Sequence, residues 1–193
     1  ITPPSNPEFS VWVFNQSDAT SDGFQLEITI REDNGGDGWD GFGNGDDSFR
    51  YDHVFTSADY NNTWVQIQVP FTDFAHVDGT GDGTFTGNLD EVVFVIANVQ
   101  GGDPSTVEVD LDLVELGDGT VAPPPATLII EDFNDGDAGD WGAFNGSQGG
   151  GGIGIAADRP QEGSHYLSTG WGGSGGGGSV SYTHLTLPTS FLV

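Results

Sequence analysis

Glu108, Asp110 and Asp112 alternate with Val107, Val109, Leu111 and Leu113 in the stretch VEVDLDL. That is the period of a half-buried strand with an apolar face and three carboxylates opposite. Like charges two residues apart on one face repel unless a donor or a cation stands among them. A hard cation such as Ca²⁺ collects carboxylate, amide and backbone oxygens from separate segments, so the stretch is a candidate ligand set. A solvated acidic edge strand, protected from aggregation by its charge, is the plainer alternative.

A second chemistry is written in Trp64 to Val69, WVQIQV. Val65, Ile67 and Val69 share one phase, and Trp64, Gln66 and Gln68 share the other, with Pro70 ending the ladder. A tryptophan beside two long amides on a polar face can serve as a sugar platform, and it can equally be an edge tryptophan packed under a loop. Arg50 and Asp52 from SFRYDHVF and Arg31 from FQLEITIR occupy the polar phases of neighbouring strands and join it as candidate hydroxyl-binding groups. His53 falls in the aromatic phase with Phe49, Tyr51 and Phe55, where a packed, hydrogen-bonded imidazole is expected.

Two glycine and acid loops imitate calcium loops incompletely. In DNGGDGWDGFGNGDD, Asp33, Asp37 and Gly38 fit part of an EF-hand loop, but Gly35 stands where Asp or Asn belongs and no Glu closes it. Asp78, Asp82 and Gly83 give a similar partial match. Solvated connections are the expected reading of both.

These groups are carried by a chain of 193 residues with 30 acidic and 3 basic side chains, a formal net charge of −27. Such a chain repels polyphosphate and anionic lipid, which excludes nucleic acid and membrane surfaces as partners, and it suits salty or calcium-containing water. No apolar run reaches membrane-spanning length. Zero Cys rules out disulfides and thiolate metal sites. Thirteen Phe, five Trp and four Tyr favour strands, while 32 Gly and 10 Pro punctuate turns.

Six strands are expected at Phe9 to Phe14, Phe24 to Arg31, Phe49 to Phe55, Trp64 to Val69, Leu89 to Ala97 and Val107 to Leu116. Their short spacing and Gly/Asp turns define an all-β, antiparallel sandwich. Leu89 to Ala97 is apolar on both faces in its second half, as in a strand covered on both sides. A proline-rich linker, residues 118–127, follows the first unit, residues 1–117, and a strand-like LII then opens residues 128–178. The stretch SVSYTHLTLPT, starting at Ser179, resembles the translation of a transposon-type sequencing adapter, which argues for leaving residues 179–193 out of the fold.

The succession WVF, FQLEITI, WVQIQVPFTDF, LDEVVFVIA and VEVDLDLVEL resembles the later strands of galactose-binding-like jelly rolls, in particular carbohydrate-binding modules of the family 11 type. LIIEDFNDGDAGDW resembles the opening of the same domain, with Asn134 in place of the usual Glu. The resemblance implies a jelly roll in a secreted or extracellular bacterial polysaccharide-degrading or cell-surface protein. It implies noncatalytic binding of polysaccharide or cell-surface glycan, for which the polar-phase residues Trp64, Gln66, Gln68, Arg50, Asp52 and Arg31 are the candidates. It also implies a structural Ca²⁺ joining first and last strands: Asp110 matches the last-strand Asp, Asp132 and Asn134 match the opening motif, and Asp112 and Glu131 are adjacent additions.

The first segment lacks early strands of such a domain and the second lacks late ones. Residues 128–178 are therefore expected to fold back and complete the first sheet as a circular permutation, with the strand at Leu128 pairing into it. The other arrangement is two incomplete repeats of a tandem array. A calcium-stiffened structural or adhesin-like repeat is the alternative function. No nucleophile or transition-metal cluster points to an enzyme.

Overall fold

The computed structural model describes residues 7–15, 24–36, 38, 45–55, 63–98, 108–118, 128–131, 133–138, 141–144, 152–158, 160, 161, 163–170 and 178–183. Twelve strands occupy them: β1 (Pro7–Asn15), β2 (Phe24–Glu32), β3 (Asp47–Val54), β4 (Val65–Pro70), β5 (Ala75–Gly79), β6 (Leu89–Asn98), β7 (Glu108–Asp118), β8 (Leu128–Glu131), β9 (Trp141–Phe144), β10 (Gly152–Ala156), β11 (Tyr166–Gly170) and β12 (Gly178–Thr183). All six strands expected in the first segment are present. The addition there is β5, reached through a single 3₁₀ turn at Phe71–Asp73. No described helix is long and apolar enough to cross a membrane.

The strands form two antiparallel six-stranded sheets. Sheet A runs β10-β11-β7-β1-β4 with β8 also on β7, and sheet B runs β5-β3-β2-β6-β12-β9. Between them lies one core: Phe9, Val11 and Val13 of β1, Ile67 and Val69 of β4, and Leu167 of β11 face Leu26, Ile28 and Ile30 of β2 and Val92 and Phe94 of β6. Phe9 and Phe94 meet across the sheets with ring centroids 6.1 Å apart. Burial of alternate apolar residues on each inner face drives this packing.

Strands from after the proline-rich stretch enter both sheets. β8 and β11 pair with β7, and β12 pairs with β6 on one side and β9 on the other. The pairing of Leu128 with Leu116, which folding back of the second segment requires, is thus present. β12 takes in residues 179–183, part of the stretch set aside for its adapter-like sequence. Residues 119–127 and 184–193 lie outside the described residues.

β7 departs from simple alternation. Val109 and Leu111 face the core, as the period predicts, but so do Val114 and Leu116. Between Ser10 and Trp12 the β1–β7 register shifts, so that two β7 residues, Leu113 and Val114, oppose the single Val11. Leu113 sits at φ 45°. A bulge with its extra residue in the left-handed region switches the inward phase by one and keeps both apolar pairs buried. Leu113, expected inward with Leu111, is the bulged residue instead.

Candidate functional site

The same bulge divides the free side of β7 between two partners. Glu108 to Leu111 pair with β11, and Val114 to Leu116 pair with β8. Asp112 and Leu113 fall in the gap, where no strand satisfies the backbone. There the Asp112 carboxylate accepts the N–H of Leu113 (2.9 Å) and the N–H of Gln161 (3.0 Å). Asp112 therefore ties the connection from β10 to β11 onto the outer face of sheet A, and it is fully buried.

Asp110 is fully buried on the same face. It pairs with Phe14 on one side and Ser168 on the other. Trp64 meets Phe14 and Tyr166 edge to face, at 5.6 Å each. Trp64 precedes β4 and Tyr166 opens β11, three strand intervals away, so the trio closes above β1 and β7. The Tyr166 hydroxyl donates to Asp158 at 2.5 Å, fastening the start of the same connection.

What stays accessible is the β1–β4 side. Trp12, half-buried, points outward from β1, with Gln66 as its partner on β4 and Asp112 as its partner on β7. Among the described residues, no side-chain hydrogen bond or aromatic ring contact engages the side chains of Trp12, Gln66 and Gln68. At the far end of this ledge, Ser10 donates to Glu115 (3.3 Å), and Gln68 is exposed. An open indole flanked by two open amides is an arrangement for stacking on an apolar ring face while forking hydrogen bonds to its polar edge.

The expected site residues are thus split between two faces. Trp64, Gln66 and Gln68 lie on the outer face of sheet A, and Trp64 belongs to the packed trio. Arg31, Arg50 and Asp52 lie on the outer face of sheet B, so the six do not form one site. Arg50 is bound by Asp52 (2.6 and 2.9 Å) and Glu27 (3.1 Å), with Asp52 holding its guanidinium above the usual range. Arg31 pairs with Glu91. These arginines neutralise carboxylates of their own and adjacent strands, a role alternation cannot separate from ligand binding. Trp12 is the residue that sequence reasoning passed over. Its outward phase in FSVWVF was the available signal, obscured because Phe14 shares the phase and packs.

The expected calcium ligands are described in part. Asn134 accepts the N–H of Ser164 (2.7 Å) through its side-chain carbonyl, and its backbone carbonyl accepts the Ser164 hydroxyl. Glu131 pairs with Val114 on β8, and Asp132 lies outside the described residues. Among the described residues no three His, Cys, Asp or Glu side chains gather as a metal cage. In the acidic loops, Asp33 accepts the N–H groups of Gly36 (2.5 Å) and Gly38 (2.9 Å), closing its own turn, and Asp82 accepts that of Thr84 (2.9 Å). Asp37 lies outside the described residues. His53 packs edge-on against Phe55 at 5.4 Å, as its aromatic phase predicts.

A further carboxylate cluster closes one end of sheet B. Glu32 accepts N–H groups from Thr86 (2.9 Å) and Gly87 (2.5 Å) and the Thr86 hydroxyl (3.1 Å), and Asn34 accepts the same hydroxyl (2.7 Å). Burial pushes the Glu32 carboxyl above the usual glutamate range, against the lowering effect of the Thr86 and Gly87 donors. Asp47 accepts from Gly83 (3.2 Å) and pairs with His76 (2.8 Å). The cluster clamps the loop from Gly79 to Asn88 onto the sheet.

Comparison of the chain with protein-family models, with curated proteins and with solved structures finds no match.

Proposed function

We propose that the chain is a noncatalytic carbohydrate-binding module of a secreted or cell-surface protein, and that it binds glycan on the outer face of sheet A. Trp12 carries this reading. A large aromatic on a central strand, unclaimed by core or ring cluster and flanked by the open amides of Gln66 and Gln68, supplies the stacking surface and hydrogen-bond groups that a pyranose requires. The −27 charge favours uncharged glycans by repelling polyanions.

Native affinity electrophoresis in gels containing neutral polysaccharides tests it. Retardation by at least one polymer, lost in Trp12→Ala with an unchanged circular dichroism spectrum, is the expected result. Retardation by none, in a cooperatively folded protein, overturns the reading in favour of a structural repeat.

A further inference from the structure

The Trp12 ledge ends in walls. Toward β7, the next strand beyond β1, Asp110 and Asp112 on the same face are both 0 % exposed. The connection from β10 to β11 lies over Asp112, held by the Gln161 N–H, and Tyr166 stands beside it with its hydroxyl on Asp158. Along β1, the neighbour two residues on is Phe14, whose ring is packed against Trp64, itself packed against Tyr166. The two walls share Tyr166 and meet at a corner. Among the described residues the remaining sides carry no wall: β4 is the last strand of sheet A, with Gln68 and Pro70 exposed.

A site that recognises the interior of a polysaccharide must let the chain pass on both sides of the sugar it stacks. Here a chain lying across the strands over Trp12 meets the Asp112 wall, and a chain lying along β1 meets the ring trio. The accessible floor is two strands wide, roughly 10 Å from the spacing of neighbouring strands. We infer that the site takes the terminal sugar of a neutral glycan: the end unit stacks on Trp12 against the corner, and the rest of the chain leaves over Gln66 and the β4 edge. This rests on the glycan reading above and adds to it the part of the chain that is recognised.

Chain-end and internal recognition differ in stoichiometry and in length dependence. Isothermal titration of the full chain with the disaccharide, trisaccharide and hexasaccharide of β-1,4-glucan, β-1,3-glucan, β-1,4-mannan and β-1,4-xylan, and with the matching soluble polymers, reads both. End recognition gives one protein bound per glycan molecule at every length, with affinity per molecule changing less than threefold from trisaccharide to hexasaccharide. Trp12→Ala should weaken that binding at least tenfold. Several proteins bound per polymer chain, or affinity climbing tenfold or more with length, overturns the end-recognition inference while leaving glycan binding intact. Binding undiminished in Trp12→Ala overturns the location, and binding to none of the series overturns both readings.

Discussion

Glu32 and Asp47 are register partners across β2 and β3, and both are buried, so two carboxylates face each other at the closed end of sheet B. Like-charged partners on adjacent strands repel, and this pair is tolerated because one loop brings N–H donors to each. The loop thereby acts as a clasp whose grip depends on protonation.

The pH dependence follows from the raised Glu32 pKa. In the unfolded chain Glu32 ionises near 4.5, while in the folded protein it holds its proton to higher pH. As pH rises through that window the unfolded state loses the proton first, so stability falls. As pH falls from neutral toward 4.5 stability rises. Relief of self-repulsion in a −27 chain adds in the same direction. Asp82, held below the usual range by Thr84, acts oppositely, with stability lost only as pH falls through its depressed pKa. Thermal melts between pH 7.5 and 5 should show Tm rising on acidification, and Glu32→Gln should flatten the slope. A Tm that falls over this interval contradicts the clasp.

Trp12→Ala should cost binding and little stability. The indole is outward and half-buried, and a central aromatic anchor of a binding face contributes about 2 kcal/mol or more, roughly thirtyfold in Kd. A melting temperature within a few degrees of the parent, together with lost glycan affinity, is the expected pair of observations.

Asp112→Ala should be a folding mutation. It removes the acceptor of two N–H groups in the gap between β8 and β11 and unties the connection at Gln161. Hydrogen bonds to a charged group contribute about 1.5–3 kcal/mol each, and the orphaned donors add a desolvation cost. A fall in Tm of roughly 6–24 °C is expected at about 2–4 °C per kcal/mol for a chain of this size. Asp112→Asn, which keeps one carbonyl acceptor, should lie between. Melting with excess chelator tests the calcium expectation separately: an unchanged Tm leaves Asp112 and Asn134 as acceptors of N–H groups alone, and a large drop points to a bound cation.

Gly79→Ala tests the loop closure at the edge of sheet B. Gly79 holds φ at 118°, and a Cβ there collides with the backbone carbonyl of Asp46. Neither strain nor contact can be relieved by a side-chain rotation, so a loss of about 2 kcal/mol or more in urea unfolding is expected.

Alternation in FQLEITIR and WVQIQV was sufficient to specify strands and inner faces, because the two-residue period is a local property. It also placed Gln66 and Gln68 outward. The all-β sandwich followed from composition and turn spacing. Which outward faces coincide is a non-local matter. The arginines of β2 and β3 went to sheet B while Trp64 went to sheet A, since strand order is decided by which apolar faces can be buried together. The bulge at Leu113, the use of Asp112 as an acceptor in the gap it leaves, and the contrast between open Trp12 and packed Trp64 depend on neighbours distant in sequence. Only the tertiary structure decided them.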